Sequence, residues 1–176
     1  MQHVNLKFFA RAADGVSTSE AIPVFHRWIQ NASCPELLID VADYSHVPAG
    51  PGVLLIGNEA NYSLDIGRSR FGLLYNRKAA DAGDAQSHLR LAYGAALAAC
   101  ERLEQEPEFV GRLAFDRREL EITLNDRLLY PNTEATWTSV QPEVERFCDG
   151  IFGAGQYVVR HEGEPRERFR VNVRQI

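Results

Sequence analysis

The sequence predicts an α+β fold: a predominantly antiparallel β-sheet of about seven to nine strands, with three helices packed mainly on one face. Three observations predict it. Short apolar runs bounded by turn-forming residues recur along the chain, as strands do. Three longer segments place apolar residues three and four apart, as amphipathic helices do. The strands come in groups instead of alternating strictly with helices, which disfavours a doubly wound parallel sheet. The 176 residues fit a single domain over 1–176, long enough to bury roughly two thirds of the unfolded surface.

From His3 to Arg11, Val4, Leu6, Phe8 and Ala10 alternate with Asn5, Lys7, Phe9 and Arg11, the pattern of a strand with one face on a core. Asp14-Gly15 turns the chain, and Ser17-x-x-Glu20 has the spacing of a capping box ahead of a helix over residues 22–30. Pro35 disfavours helix before it. Between Glu36 and Asn58, two short apolar runs flank a loop with two prolines and two glycines, so they predict two buried strands at the centre of the sheet, with Ile39, Val41, Leu54 and Ile56 facing inward. Alternation resumes at Asn61 to Ile66 and again from Phe71 to Lys78, giving a three-stranded antiparallel meander over 52–78.

After the polar loop 79–84, the residues Leu89, Tyr93, Ala96, Leu97, Cys100 and Leu103 fall at helical spacings, and Pro107 stops that helix, the longest of the three. Leu113 to Phe115, Leu120 to Leu124 and Leu128 to Tyr130 read as three further strands, the last two joined by a tight turn at Asn125-Asp126. A third helix is predicted over roughly 140–152, with Pro142 in its first turn. Two strands, 156–160 and 168–173, close the chain as a hairpin, with Phe169, Val171 and Val173 inward.

Composition narrows the function classes. With 45% hydrophobic and 24% charged residues the chain resembles an ordinary globular protein, which excludes disorder and fibrous classes. The net charge of −5 argues against a general affinity for nucleic acid or acidic lipid surfaces. No apolar run is long enough to span a bilayer and the N-terminus lacks a signal-peptide pattern, so a cytoplasmic location without membrane contact is expected. Cys34, Cys100 and Cys148 are odd in number and widely spaced, which fits reduced thiols.

Polar residues gather where the central strands end, and they make the candidate site. Asp40, Asp43 and His46 have the residue types of a metal centre, and Glu59 could serve as general base of a metal-assisted hydrolase. The same residues with Asn61 could instead bind a small polar ligand or a protein partner without chemistry. The binding reading is preferred, because no complete nucleophile, cofactor or metal signature accompanies them. Gly50-Pro51-Gly52 leads from strand into strand and not into a helix N-terminus, so no nucleotide cofactor is expected. Arg160, Arg168, Arg170 and Arg174 form a single-sign stripe on the final hairpin, read first as a solvated edge. A homo-oligomer, most simply a dimer, is expected through a sheet edge or the aromatic residues around Trp28 or Trp137.

Overall fold

The computed structural model describes residues 1–13, 15–48, 50–80 and 82–176. The expected turn residue Asp14, Ala49 of the proline and glycine loop, and Asp81 of the polar loop lie outside the described residues. In chain order the elements are β1 (Val4–Ala13), α1 (Ala21–Gln30), β2 (Leu38–Tyr44), β3 (Gly52–Gly57), β4 (Ala60–Asp65), β5 (Gly72–Arg77), α2 (Ala85–Gln105), β6 (Leu113–Leu124), α3 (Glu134–Phe152), β7 (Tyr157–Glu162) and β8 (Phe169–Gln175). The eight strands form one antiparallel sheet in the order β2-β3-β4-β5-β1-β6-β8-β7. The fold is α+β, as predicted.

One face of the sheet is apolar and covered. Leu6 and Phe8 of β1, Val53 and Leu55 of β3, Leu73 and Tyr75 of β5, Leu120 and Ile122 of β6, and Val171 and Val173 of β8 join a single core cluster with Phe25, Trp28, Leu89, Ala96 and Phe147 of the helices. Tyr93 of α2 links the layers, its ring lying 5.5 Å from Phe8 and 5.8 Å from Phe147. The helix starts follow local chemistry. Ser17 and Glu20 form the expected capping box before a short 3-10 turn that leads into α1, and the Asp84 carboxylate accepts the Ser87 N–H at 2.8 Å to open α2.

The sheet is centred on β1 and β5, not on the β2–β3 hairpin. β2 is an edge strand, and its register against β3 shifts between Leu38 and Asp40. The irregularity turns Ile39 out to 55% exposure and leaves Leu38 buried. In β3 the inward residues are Val53 and Leu55, so Leu54 and Ile56 face the other side, half-buried. A continuous apolar run carries no period, and the sequence could not choose between the two faces.

Two more expectations change. Residues 113–124 form one strand, and Leu128 to Tyr130 is not a strand but a turn. The Asp126 carboxylate accepts the N–H groups of Leu128 and Leu129, both at 3.0 Å, which bends the chain and leaves Leu128 90% exposed. α3 begins at Glu134, because the Thr133 hydroxyl accepts the Thr136 N–H, and Pro142 therefore lies inside the helix. No helix among the described residues is long and apolar enough to cross a membrane.

Candidate ligand-binding face of the sheet

All three helices pack on one face, so the opposite face of the sheet is open, and the strand registers determine what it displays. One row runs across six strands: Asn61 of β4 beside Asn76 of β5, then Asn5 of β1, Thr123 of β6, Arg170 of β8 and Glu162 of β7. The next row reads Ser63, Leu74, Lys7, Glu121, Asn172 and Arg160. These residues alternate with the core set along each strand, so the apolar covered face dictates a polar open one.

Although uncovered by helices, the middle of this face is withdrawn from solvent. Asn5 is 2%, Lys7 3% and Arg170 6% exposed, and Asp65, Ser63 and Thr123 are buried with them. The 66–71 segment after β4 and the turn between β7 and β8 rise as walls. Lys7 ties down the first wall, bonding the Asp65 carboxylate and donating to the backbone carbonyls of Arg70 at 2.6 Å and Gly67 at 3.4 Å. On the second side, Arg170 donates to Glu167 at 2.9 Å and lies 3.7 Å from Glu121, while Arg68 approaches the same two carboxylates at 3.6 and 3.8 Å. Burial pushes the Glu121 carboxyl up, against the pull of Arg170 and Lys7.

Two adjoining grooves of about 960 and 500 Å³ follow this floor, sharing Arg70, Glu162 and Asn172. Their lining holds ten basic side chains and five acidic ones, in a chain whose net charge is −5. Arg118, Arg127, Arg160, Arg166, Arg168 and Arg174 line the grooves, and among the described residues none has a carboxylate within ion-pair distance. The floor holds a second kind of unmet demand. The side-chain oxygens of Asn5, Asn61, Asn76 and Asn172 are buried and accept no hydrogen bond. A buried acceptor left unpaired costs about 1–3 kcal/mol, and the four lie on β4, β5, β1 and β8 of this one face.

The residues singled out by sequence are dispersed. Asp40 is exposed on β2 and accepts only the N–H of Val41 at 2.8 Å. Asp43 accepts the N–H and hydroxyl of Ser45 at 2.8 and 2.5 Å, bonds that hold its carboxyl below the usual carboxylate range. His46 stacks on Tyr44 at 6.5 Å. Asp43 pairs with Val53 at one end of the β2–β3 hairpin, whereas Glu59 follows Gly57 at the other, about 15 Å away at the usual strand rise. The metal-centre arrangement of Asp40, Asp43 and His46 with Glu59 is therefore not assembled. Among the described residues no group of three His, Cys, Asp or Glu converges as a metal site. Asn61 alone of the set joins the polar row.

Glu59 instead pairs with Arg77 at 3.3 Å at the mouth of a third cavity, of about 720 Å³, between α2 and the 32–36 loop. Buried Glu36 accepts the hydroxyls of Tyr62 at 2.8 Å and Tyr75 at 3.3 Å there. Burial pushes the neighbouring Cys34 thiol up to about 11, so it is no thiolate at neutral pH. With two carboxylates facing two arginines and its carboxyl already bonded, this cavity presents less unmet chemistry than the open face. Sequence reasoning passed over Asn5, Lys7, Asn76, Glu121 and Thr123. Their signal was the polar half of each strand's alternation, and Arg170, expected to be solvated, belongs to the buried floor. No family model, no curated protein and no solved structure matches the chain.

Proposed function

We propose that the chain is a non-catalytic binding domain whose recognition surface is the open face of the sheet, and that its ligand is polar and negatively charged. The observation that carries this reading is the set of buried side-chain oxygens without donors on Asn5, Asn61, Asn76 and Asn172. The fold gains nothing from them as they stand, since burying an unpaired polar group is unfavourable. A ligand toward which these amide side chains turn completes the bonds and removes that penalty on binding. The six arginines without ion pairs among the described residues supply the sign of its charge. The reading moves the recognition surface from the strand ends around Asp40 and His46 to the sheet face that contains Asn61.

A heparin oligosaccharide serves as a generic polyanion probe. Calorimetric titration at low salt is expected to show saturable binding that weakens as salt rises, since exposed charges are screened. The Arg168→Glu/Arg174→Glu variant is expected to weaken it by about tenfold or more. Absence of binding at low salt, or equal binding by the variant, overturns the reading.

Self-association is part of the same proposal, and the β2 edge of the sheet is its proposed surface. Trp28 is buried and Trp137 stacks on His161 at 5.8 Å, so neither offers a free aromatic patch. The β2 edge has unpaired backbone groups with Leu37 and Ile39 exposed beside them. Sedimentation equilibrium at micromolar concentration is expected to give a dimer, and Ile39→Lys to shift it to monomer. A wild-type chain sedimenting at 19.8 kDa removes the proposal.

A further inference from the structure

We infer that the occupant of the open face is an extended acidic peptide segment of a partner protein, laid across the strands and not added to a sheet edge. The inference rests on the binding reading above and names the partner chemistry. The row from Asn61 to Glu162 crosses six strands, and five spacings of about 4.8 Å give a track of about 24 Å. An extended chain covers that track with about seven residues.

The track has two halves of different chemistry. Asn61, Asn76 and Asn5 occupy the β4, β5 and β1 half, where three of the four orphaned oxygens lie, the fourth being that of Asn172 on β8. Arg160 of β7, Arg174 of β8 and Arg168 just before β8 occupy the other half, and among the described residues none of the three has an ion pair. Peptide N–H groups are the donors that the first half lacks, and carboxylate side chains are the partners that the second half lacks. A peptide offers both along one chain.

Nucleic acid fits less well. Its phosphates bring acceptors to oxygens that need donors, and single-stranded binding leans on exposed aromatic rings for base stacking. Among the described residues the one aromatic side chain lining the two grooves is Phe9, which is buried with the Arg70 guanidinium 3.4 Å above its ring. Arg70 is in turn held by Glu119 at 2.8 Å, so the stack is fixed from outside. The walls are already anchored by Lys7 and by the Arg170 to Glu167 bond, which limits the ordering that binding requires.

The test is fluorescence anisotropy with a labelled octapeptide whose first half alternates threonine and glycine and whose second half is four glutamates. The comparison probes are the same peptide with four glutamines, a single-stranded oligothymidylate, and the heparin oligosaccharide. The acidic peptide is expected to bind at least tenfold more tightly than the glutamine peptide and more tightly than the oligothymidylate. Asn76→Ala is expected to weaken peptide binding about threefold to tenfold, the loss of one hydrogen bond, while leaving the thermal midpoint unchanged or higher. Arg160→Ala, at an exposed position, is expected to weaken it without touching the fold. Tighter binding of oligothymidylate than of peptide overturns the inference in favour of nucleic acid. Heparin binding without peptide binding overturns it and leaves the anion-binding reading standing, whereas silence from all probes removes both.

Discussion

Lys7→Met is expected to lower stability by about 3–5 kcal/mol, the largest effect of any single substitution on the open face. Lys7 and Asp65 are a buried ion pair, 3% and 7% exposed as residues. Removing the ammonium leaves a carboxylate with no other ion pair among the described residues, and an unpaired buried charge costs far more than the intact pair contributes. The same change releases the carbonyls of Gly67 and Arg70, so the wall of the groove loses its anchor as well. Urea unfolding at 25 °C measures this: with a slope of about 2 kcal/mol per molar, the midpoint should fall by about 1.5–2.5 M. The double variant Lys7→Met/Asp65→Leu separates charge from packing. It should recover most of the loss, because an apolar pair of similar volume carries no desolvation penalty. A single variant within about 0.5 kcal/mol of wild type would show that the pair is solvated and the floor is not a buried polar layer.

The part of the fold that could be read from the sequence is the part set by local periodicity. β1, β4, β5 and β8 place their core residues two apart, and that period assigns the apolar set of each to the covered face, although the polar positions of β1 and β4 are buried as well. α2 carries its stripe over 21 residues between an aspartate cap and Pro107. Readings failed where another force outweighed periodicity. The Asp126 side chain bends an apolar segment into a turn, Thr133 opens a helix in a stretch with little apolar pattern, and the bulge at Leu38 to Asp40 reverses Ile39. The site was legible only as fragments. Asn5 and Lys7, Asn61 and Ser63, Glu121 and Thr123, and Arg170 and Asn172 each stand on the polar side of their own strand. That they form two continuous rows depends on β1 lying between β5 and β6, a pairing of segments more than sixty residues apart in the first case and a hundred or more in the second. Nothing local encodes that order, so attention fell on the Asp40 to His46 cluster, where polar residues are adjacent in sequence instead of in space.

Glu36→Leu is expected to cost about 2–5 kcal/mol at neutral pH, through the two hydroxyl groups it abandons. The Glu36 carboxylate is buried and accepts from Tyr62 on one oxygen and Tyr75 on the other, and the two rings meet edge to face at 5.2 Å. Leucine has similar bulk but no acceptor, leaving each hydroxyl with an unmet bond at about 1–3 kcal/mol. Adding Tyr62→Phe to the variant should recover part of the loss, because the orphaned hydroxyl goes with the substitution. Glu36→Gln should be milder, since its amide oxygen still accepts from one tyrosine. The same cluster gives the wild-type chain an alkaline limit. Burial pushes Tyr75 up from 10 to about 12 and the adjacent Tyr62 hydroxyl further still. A group whose folded pKa is raised contributes stability that is complete below its unfolded value and is lost as pH rises through the folded one. Stability measured by urea midpoint should therefore hold to about pH 10 and decline toward pH 12. In Tyr62→Phe/Tyr75→Phe that decline should be shallower, and an unchanged alkaline slope in the double variant would place the titrating groups elsewhere.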